Sequence, residues 1–125
     1  MTNLILTMAF LFPISAQASE EGCLAKIIYA ESRGESIEGA IAVGEATVNR
    51  SKRIGKAICR LTGVSRLTPP SNLISHYTAL AKSVMGGKDS TVRNSDSWNT
   101  GTKPRYAGEV VRQIGGHVFY VMSGL

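Results

Sequence analysis

A glutamate interrupts an apolar helical stripe near the start of the chain. Leu24, Ile27 and Ile28 recur at the spacing of one helix face, and Glu31 takes the next position on it. A carboxylate among apolar neighbours is desolvated, which penalises its charged form and raises its pKa. Such a group donates a proton near neutrality and its conjugate base takes one back, as a glycosidase acid must. A buried glutamate bonded to a backbone donor or to an arginine gives the same pattern, so spacing alone leaves both readings open. Glu31 falls in the last turn before Arg33 and Gly34, a place on a cleft wall rather than in the deep core.

Other side chains have chemistry to offer, each beside a plainer role. Glu35 and Glu38 follow the helix break. Either is a second carboxylate across a site, or binds backbone amides near the start of the next helix. Tyr29 orients a sugar or the acid, or packs in the core. Asn49 touches substrate or makes a helix–helix hydrogen bond. Arg33 and Arg50 hold the glutamates, meet ligand carboxylates, or form structural ion pairs. Trp98, the one tryptophan, stacks on a sugar face or anchors its loop, with Ser95, Asp96 and Asn99 around it. Asp96 is the distant candidate for a second acid. His117, Phe119 and Tyr120 pack beneath the helix that carries Glu31, and Tyr120 alternatively hydrogen-bonds across a cleft. His76 and His117 stand too far apart for a metal site, and no Cys/His cluster has ligand spacing, so neither metal nor cofactor is expected.

Positioning these groups falls to a few short elements. Ser19, with Glu20 and Glu21 behind it, reads as a helix start. That helix runs from 20 to 33, with Gly34 as its left-handed stop. Ser36 caps a second helix over 37–52, with Ile37, Ala40, Ile41, Gly44, Thr47 and Val48 on one face. Gly39 and Gly44 weaken it in isolation and permit a neighbouring helix to approach closely. A helical turn within 53–61 and a breaking loop at 68–72 precede a third helix over 72–85, closed by Gly86 and Gly87. Residues 88–104 read as a long polar loop, 105–114 as a short helix, and "HVFYV" from His117 as a strand.

The chain has 125 residues and a formal net charge of +5. Residues 4–14 are an apolar run too short to span a bilayer. Ala16 and Ala18 follow at the positions a signal peptidase reads, so 1–18 is taken as a secretory signal, despite having no Lys or Arg before the run. A buried N-terminal helix and a retained anchor are the alternatives. Residues 19–125 suffice for one domain. Small size and basic charge suit a polyanionic neighbourhood of cell wall, anionic lipid or nucleic acid. The basic residues are scattered and not interleaved with aromatics, which speaks against nucleic acid. Cys23 and Cys59 form one disulfide if the chain is exported, and stay as two buried thiols if not. Closing the loop from 23 to 59 stabilises by roughly 4 kcal/mol in the chain-entropy picture.

The stretch "IIYAESRGESIEGAIAVGEATVNRSK", residues 27–52, resembles the cell wall hydrolase family of the spore-cortex-lytic enzymes. The matching residues are Tyr29, Ala30, Glu31, Arg33, Gly34, Glu35, Glu38, Gly39, Val48, Asn49 and Arg50. "IGGHVFY", Ile114 to Tyr120, is similar to the family's closing motif. Between these two matches the likeness is weak, and the aromatic-rich segment usual after the position of Cys59 is missing. Ser32 stands where Ala is common, and Gly116 where Asn is common.

The resemblance implies a peptidoglycan lytic transglycosylase on a small lysozyme-like, mainly helical domain, α+β with little strand. Glu31 is then the catalytic acid and base, and one carboxylate suffices because the muramic C6 hydroxyl closes on C1 as a 1,6-anhydro ring. Tyr29, Glu38, Asn49, Trp98 and Tyr120 are the expected substrate-binding residues. Peptidoglycan glycan strands are the expected partner, for a monomer in the periplasm or outside the cell, with membrane contact only if the N-terminal segment is kept. A muramidase-type hydrolase and a silent wall-binding module of the same fold are the alternatives.

Overall fold

The computed structural model describes residues 20–61, 67–87 and 90–125. The expected signal at 1–18 and the cap at Ser19 lie outside them. Among the described residues, no helix is long and apolar enough to cross a membrane. Three α-helices lead into a small antiparallel sheet, the mainly helical α+β composition expected.

Helix α1 covers 20–32, and Gly34 at φ 82° turns the chain out of it. Only glycine adopts that conformation at low cost. Helix α2, Ile37–Ile54, starts at Ser36, whose side chain accepts the amide of Gly39 at 3.1 Å. It ends at Gly55, also left-handed, with φ 66°. A 3-10 turn at Ile58–Arg60 follows. Its first amides, those of Ile58 and Cys59, donate to the carboxylate of Glu20 at 3.1 and 3.0 Å. The Cys23–Cys59 disulfide ties the same turn to α1. Helix α3 is Ile74–Met85.

Strands β1 (Ser97–Thr100), β2 (Gly108–Ile114) and β3 (His117–Met122) form a sheet in the order β1-β3-β2. Both pairings are antiparallel. Two expectations are corrected here. Residues 105–114 are no helix, since 108–114 form β2, and the supposed loop tryptophan lies within β1. β2 hides its strand character because nearly all of it faces solvent and its register slips between Val110 and Arg112. A two-sided exposed strand with a bulge has no alternating apolar signal.

The core gathers Leu24, Ile27 and Ile28 of α1, Ala40, Val43 and Ala46 of α2, Ala81 and Val84 of α3, and Phe119 of β3. Gly44 is where three helices meet. A methyl there would stand 3.0 Å from both Ile28 Cδ1 and Val84 Cγ2, so the bare backbone permits the close crossing. Gly39, by contrast, faces its own preceding turn at Glu35 rather than another helix. Ile37, expected on the inner face, is 62 % exposed.

Candidate active site

Leu24 and Ile28 are wholly buried, Ile27 nearly so, and Glu31 is the next residue on their stripe. By that turn the helix has run past the core, and Glu31 emerges exposed at its end. Burial by the chain, expected to keep this carboxyl dry, is therefore absent. No salt bridge engages it among the described residues. It instead stands where two cavities adjoin, both walled by Glu31 and Trp98.

The first cavity, about 300 Å³, is lined further by Ile27, Thr47, Arg50, Leu61 and Ser97. Helix α1 supplies Ile27 and Glu31, α2 supplies Thr47 and Arg50, and β1 supplies Ser97 and Trp98. The Thr47 hydroxyl donates to its own helix at Val43 O, 2.7 Å, so its position is fixed. Nη1 of Arg50 stands 3.5 Å from the Ser97 hydroxyl. Among the described residues, Arg33 and Arg50 form no ion pair, contrary to the structural role expected of them. Arg33 lies over the Tyr29 ring, 5.1 Å from its centre.

The second cavity, about 520 Å³, adds Asn99, Thr100, Lys103, Arg105 and His117 to the shared pair. The Asn99 side chain shapes its wall. It accepts the Arg105 amide at 2.8 Å and donates to the carbonyls of Lys103 and Thr100 at 2.9 and 3.0 Å. The loop also rests on the β2–β3 turn, where the Gly101 amide donates to Gly116 O at 2.9 Å. That turn is held in place by Glu35, whose Oε1 accepts the Gly116 amide at 2.8 Å. Glu35 thus binds a backbone amide, but across the chain rather than at the start of α2. Nδ1 of His117, buried, lies 3.5 Å from the same carboxylate oxygen without hydrogen-bond geometry.

Of the expected binding residues, Trp98 alone joins Glu31 in the groove. Tyr29 packs edge-on against Tyr77 of α3, ring centres 5.2 Å apart. Glu38 pairs with Arg112 of β2 at 3.3 Å. Asn49 donates to Arg93 O and Ser95 O, each at 2.8 Å, and so pins a loop rather than a helix. Tyr120 is 1 % exposed and its chain is paired between Ser97 and Val110, so it belongs to the sheet core and not to a cleft. Asp96 is excluded as a second acid by its surroundings. It is 1 % exposed, forms an ion pair with Arg53, and accepts the Ser97 hydroxyl and the Met122 amide. Ser32, at a position where the resemblance has Ala, is buried with its hydroxyl returned to Ile28 O.

Thr47, Ser97, Lys103, Arg105 and His117 were not expected in the groove, while Arg50 lines it as one of its readings allowed. Thr47 had been placed on the inner face of α2. Ser97, Lys103, Arg105 and His117 reach the groove through strand pairing and turns that no local periodicity announces. Among the described residues, no group of three or more His, Cys, Asp or Glu side chains is arranged to hold a metal.

No protein-family model and no curated protein matches the chain. Among solved structures it matches the catalytic domain of the germination-specific lytic transglycosylase SleB from Bacillus anthracis. The TM-score is 0.60 at 20 % identity, over 81 % of this chain and 93 % of the other. The chain has the lysozyme-like fold of that domain.

Proposed function

We propose that this protein cleaves the glycan strand of peptidoglycan between N-acetylmuramic acid and N-acetylglucosamine, as a lytic transglycosylase acting outside the cytoplasm. One observation carries the proposal. Among the described residues, Glu31 is the single carboxylate lining two adjoining cavities at the end of α1. The fold shared with a domain named as a lytic transglycosylase supports the reaction class.

The two cavities flank Glu31 as positions on either side of a scissile bond would. Glu31 protonates the glycosidic oxygen as the bond to C1 breaks. Its carboxylate then takes the proton of the muramic C6 hydroxyl, whose oxygen closes on C1. No water is consumed, and the glutamate ends protonated as it began. Glu31 is exposed at the end of α1, so a strand lying across the groove is what shields it from water. Trp98 lines both cavities, where an aromatic ring is suited to packing against a sugar.

Inverting hydrolysis requires a second carboxylate with room for a water between the two. The nearby acids are otherwise engaged: Glu35 with Gly116, Glu38 with Arg112, Asp96 with Arg53. Export is supported by the apolar segment before residue 19 and by the disulfide, a bond of oxidising compartments.

Mass spectrometry of fragments released from purified sacculi tests the proposal. Muropeptides lighter by one water than hydrolytic products are expected. Products of hydrolytic mass would make the enzyme a muramidase, and no release at all would leave a wall-binding module.

A further inference from the structure

The two cavities differ in character. The first combines Ile27, Leu61 and Trp98 with hydroxyls and one arginine. The second places Lys103 and Arg105 on one wall, with Glu31 and His117 as its other titratable groups. Neither Lys103 nor Arg105 has an acidic partner among the described residues. Surface cations in a small protein ordinarily wave on long, free side chains. Here two Asn99 hydrogen bonds hold their backbone, at Lys103 O and the Arg105 amide, a third holds Thr100, and the Gly101–Gly116 contact, itself held by Glu35, braces the same loop. Two cations on a braced loop, beside the Glu31 carboxyl and unpaired with any acid among the described residues, fit an anionic substituent of the substrate.

We infer that the Lys103–Arg105 wall recognises a carboxylate carried on the lactyl arm of the muramic residue, so that the enzyme selects acidic strands over neutral ones. This rests on the groove being the glycan site proposed above. The carboxylate belongs either to the stem peptide or to an unsubstituted lactyl group. The chemistry is shared, and the two sources separate by experiment. The wall also gives the strand a direction across Glu31, with the charged substituent toward the second cavity.

The test is calorimetric binding of soluble strands to the Glu31→Gln protein, which cannot turn them over. Three strands are compared: native acidic stems, the same strands with carboxylates converted to carboxamides, and strands stripped by an amidase to expose the lactyl carboxylate. Native strands should bind about tenfold more tightly than amidated ones, as two charge-assisted contacts at a partly exposed site suggest. The preference should vanish when Lys103→Gln and Arg105→Gln are added, and survive Lys103→Arg with Arg105→Lys. Tight binding of stripped strands names the lactyl carboxylate as the ligand, and weak binding names the stem. Equal affinity for native and amidated strands overturns the inference while leaving glycan cleavage standing. Failure to bind any strand overturns both.

Discussion

Replacing Asp96 by Asn separates a structural acid from a catalytic one. The carboxylate is buried against Arg53, and its Oδ1 accepts the Ser97 hydroxyl at 2.9 Å and the Met122 amide at 3.0 Å. Asparagine keeps the Oδ1 acceptor but turns an NH2 group toward the guanidinium. A hydrogen bond to a charged partner contributes roughly 1.5–3 kcal/mol. Arg53 is 34 % exposed, so water resolvates part of its charge and the loss falls near the lower end, about 2 kcal/mol. For a domain of this size each kcal/mol moves Tm by roughly 4–8 °C, so a fall of about 10 °C is expected. Thermal unfolding followed by circular dichroism reads the first quantity. Sacculus clearing well below both transitions reads the second, and should match the parent protein per folded molecule. Lost clearing at an unchanged Tm would refute the structural assignment and make Asp96 a participant in the chemistry.

Other substitutions probe the supports of the groove. Gly115→Ala strains a turn at φ 53° and drives a methyl to 2.6 Å from the Glu35 carboxylate. It should cost about 1–3 kcal/mol in denaturant titration and weaken clearing by loosening the wall that carries Lys103. Asn49→Ala leaves the carbonyls of Arg93 and Ser95 without their donor. Unfolding should show a loss of roughly 1–3 kcal/mol, with clearing intact below the transition. Tyr120→Phe should leave clearing unchanged, because that ring lies in the sheet and away from Glu31. Removing the disulfide by Cys23→Ala with Cys59→Ala opens a loop with sequence separation 36. The chain-entropy picture sets the cost at about 4 kcal/mol, measurable as a shift in the denaturant midpoint.

Helices were the legible part of this sequence, because apolar periodicity and a few end signals mark them, although α2 runs two residues past its expected end and α3 starts at Ile74 without a side-chain cap. Ser36 and Gly34 mark where α2 begins and where α1 stops, whereas the left-handed stop of α2 at Gly55 went unread. The sheet was half legible. β3 buries four successive residues from His117 and reads as an apolar run, while β2 exposes both faces and β1 is only four residues long. Glu31 stood out by breaking an apolar stripe, but the stripe misled about its environment. The same periodicity continues past the point where packing ends, so a residue can stay in register and yet leave the core. Cleft partners were least legible. Tyr29, Asn49 and Tyr120 lie close to the motif or in it, yet turn to Tyr77, to a loop and to the sheet. Arg105 and Lys103 arrive through a loop whose shape depends on Asn99, a contact that residue types do not reveal.

The most direct test is the rate at which Glu31→Gln protein clears purified sacculi, measured beside its melting temperature. Clearing should disappear while Tm stays within a degree or two of the parent, since Glu31 is exposed and makes no ion pair among the described residues. Clearing that persists in the variant would contradict the assignment of Glu31 as the group that breaks the glycosidic bond.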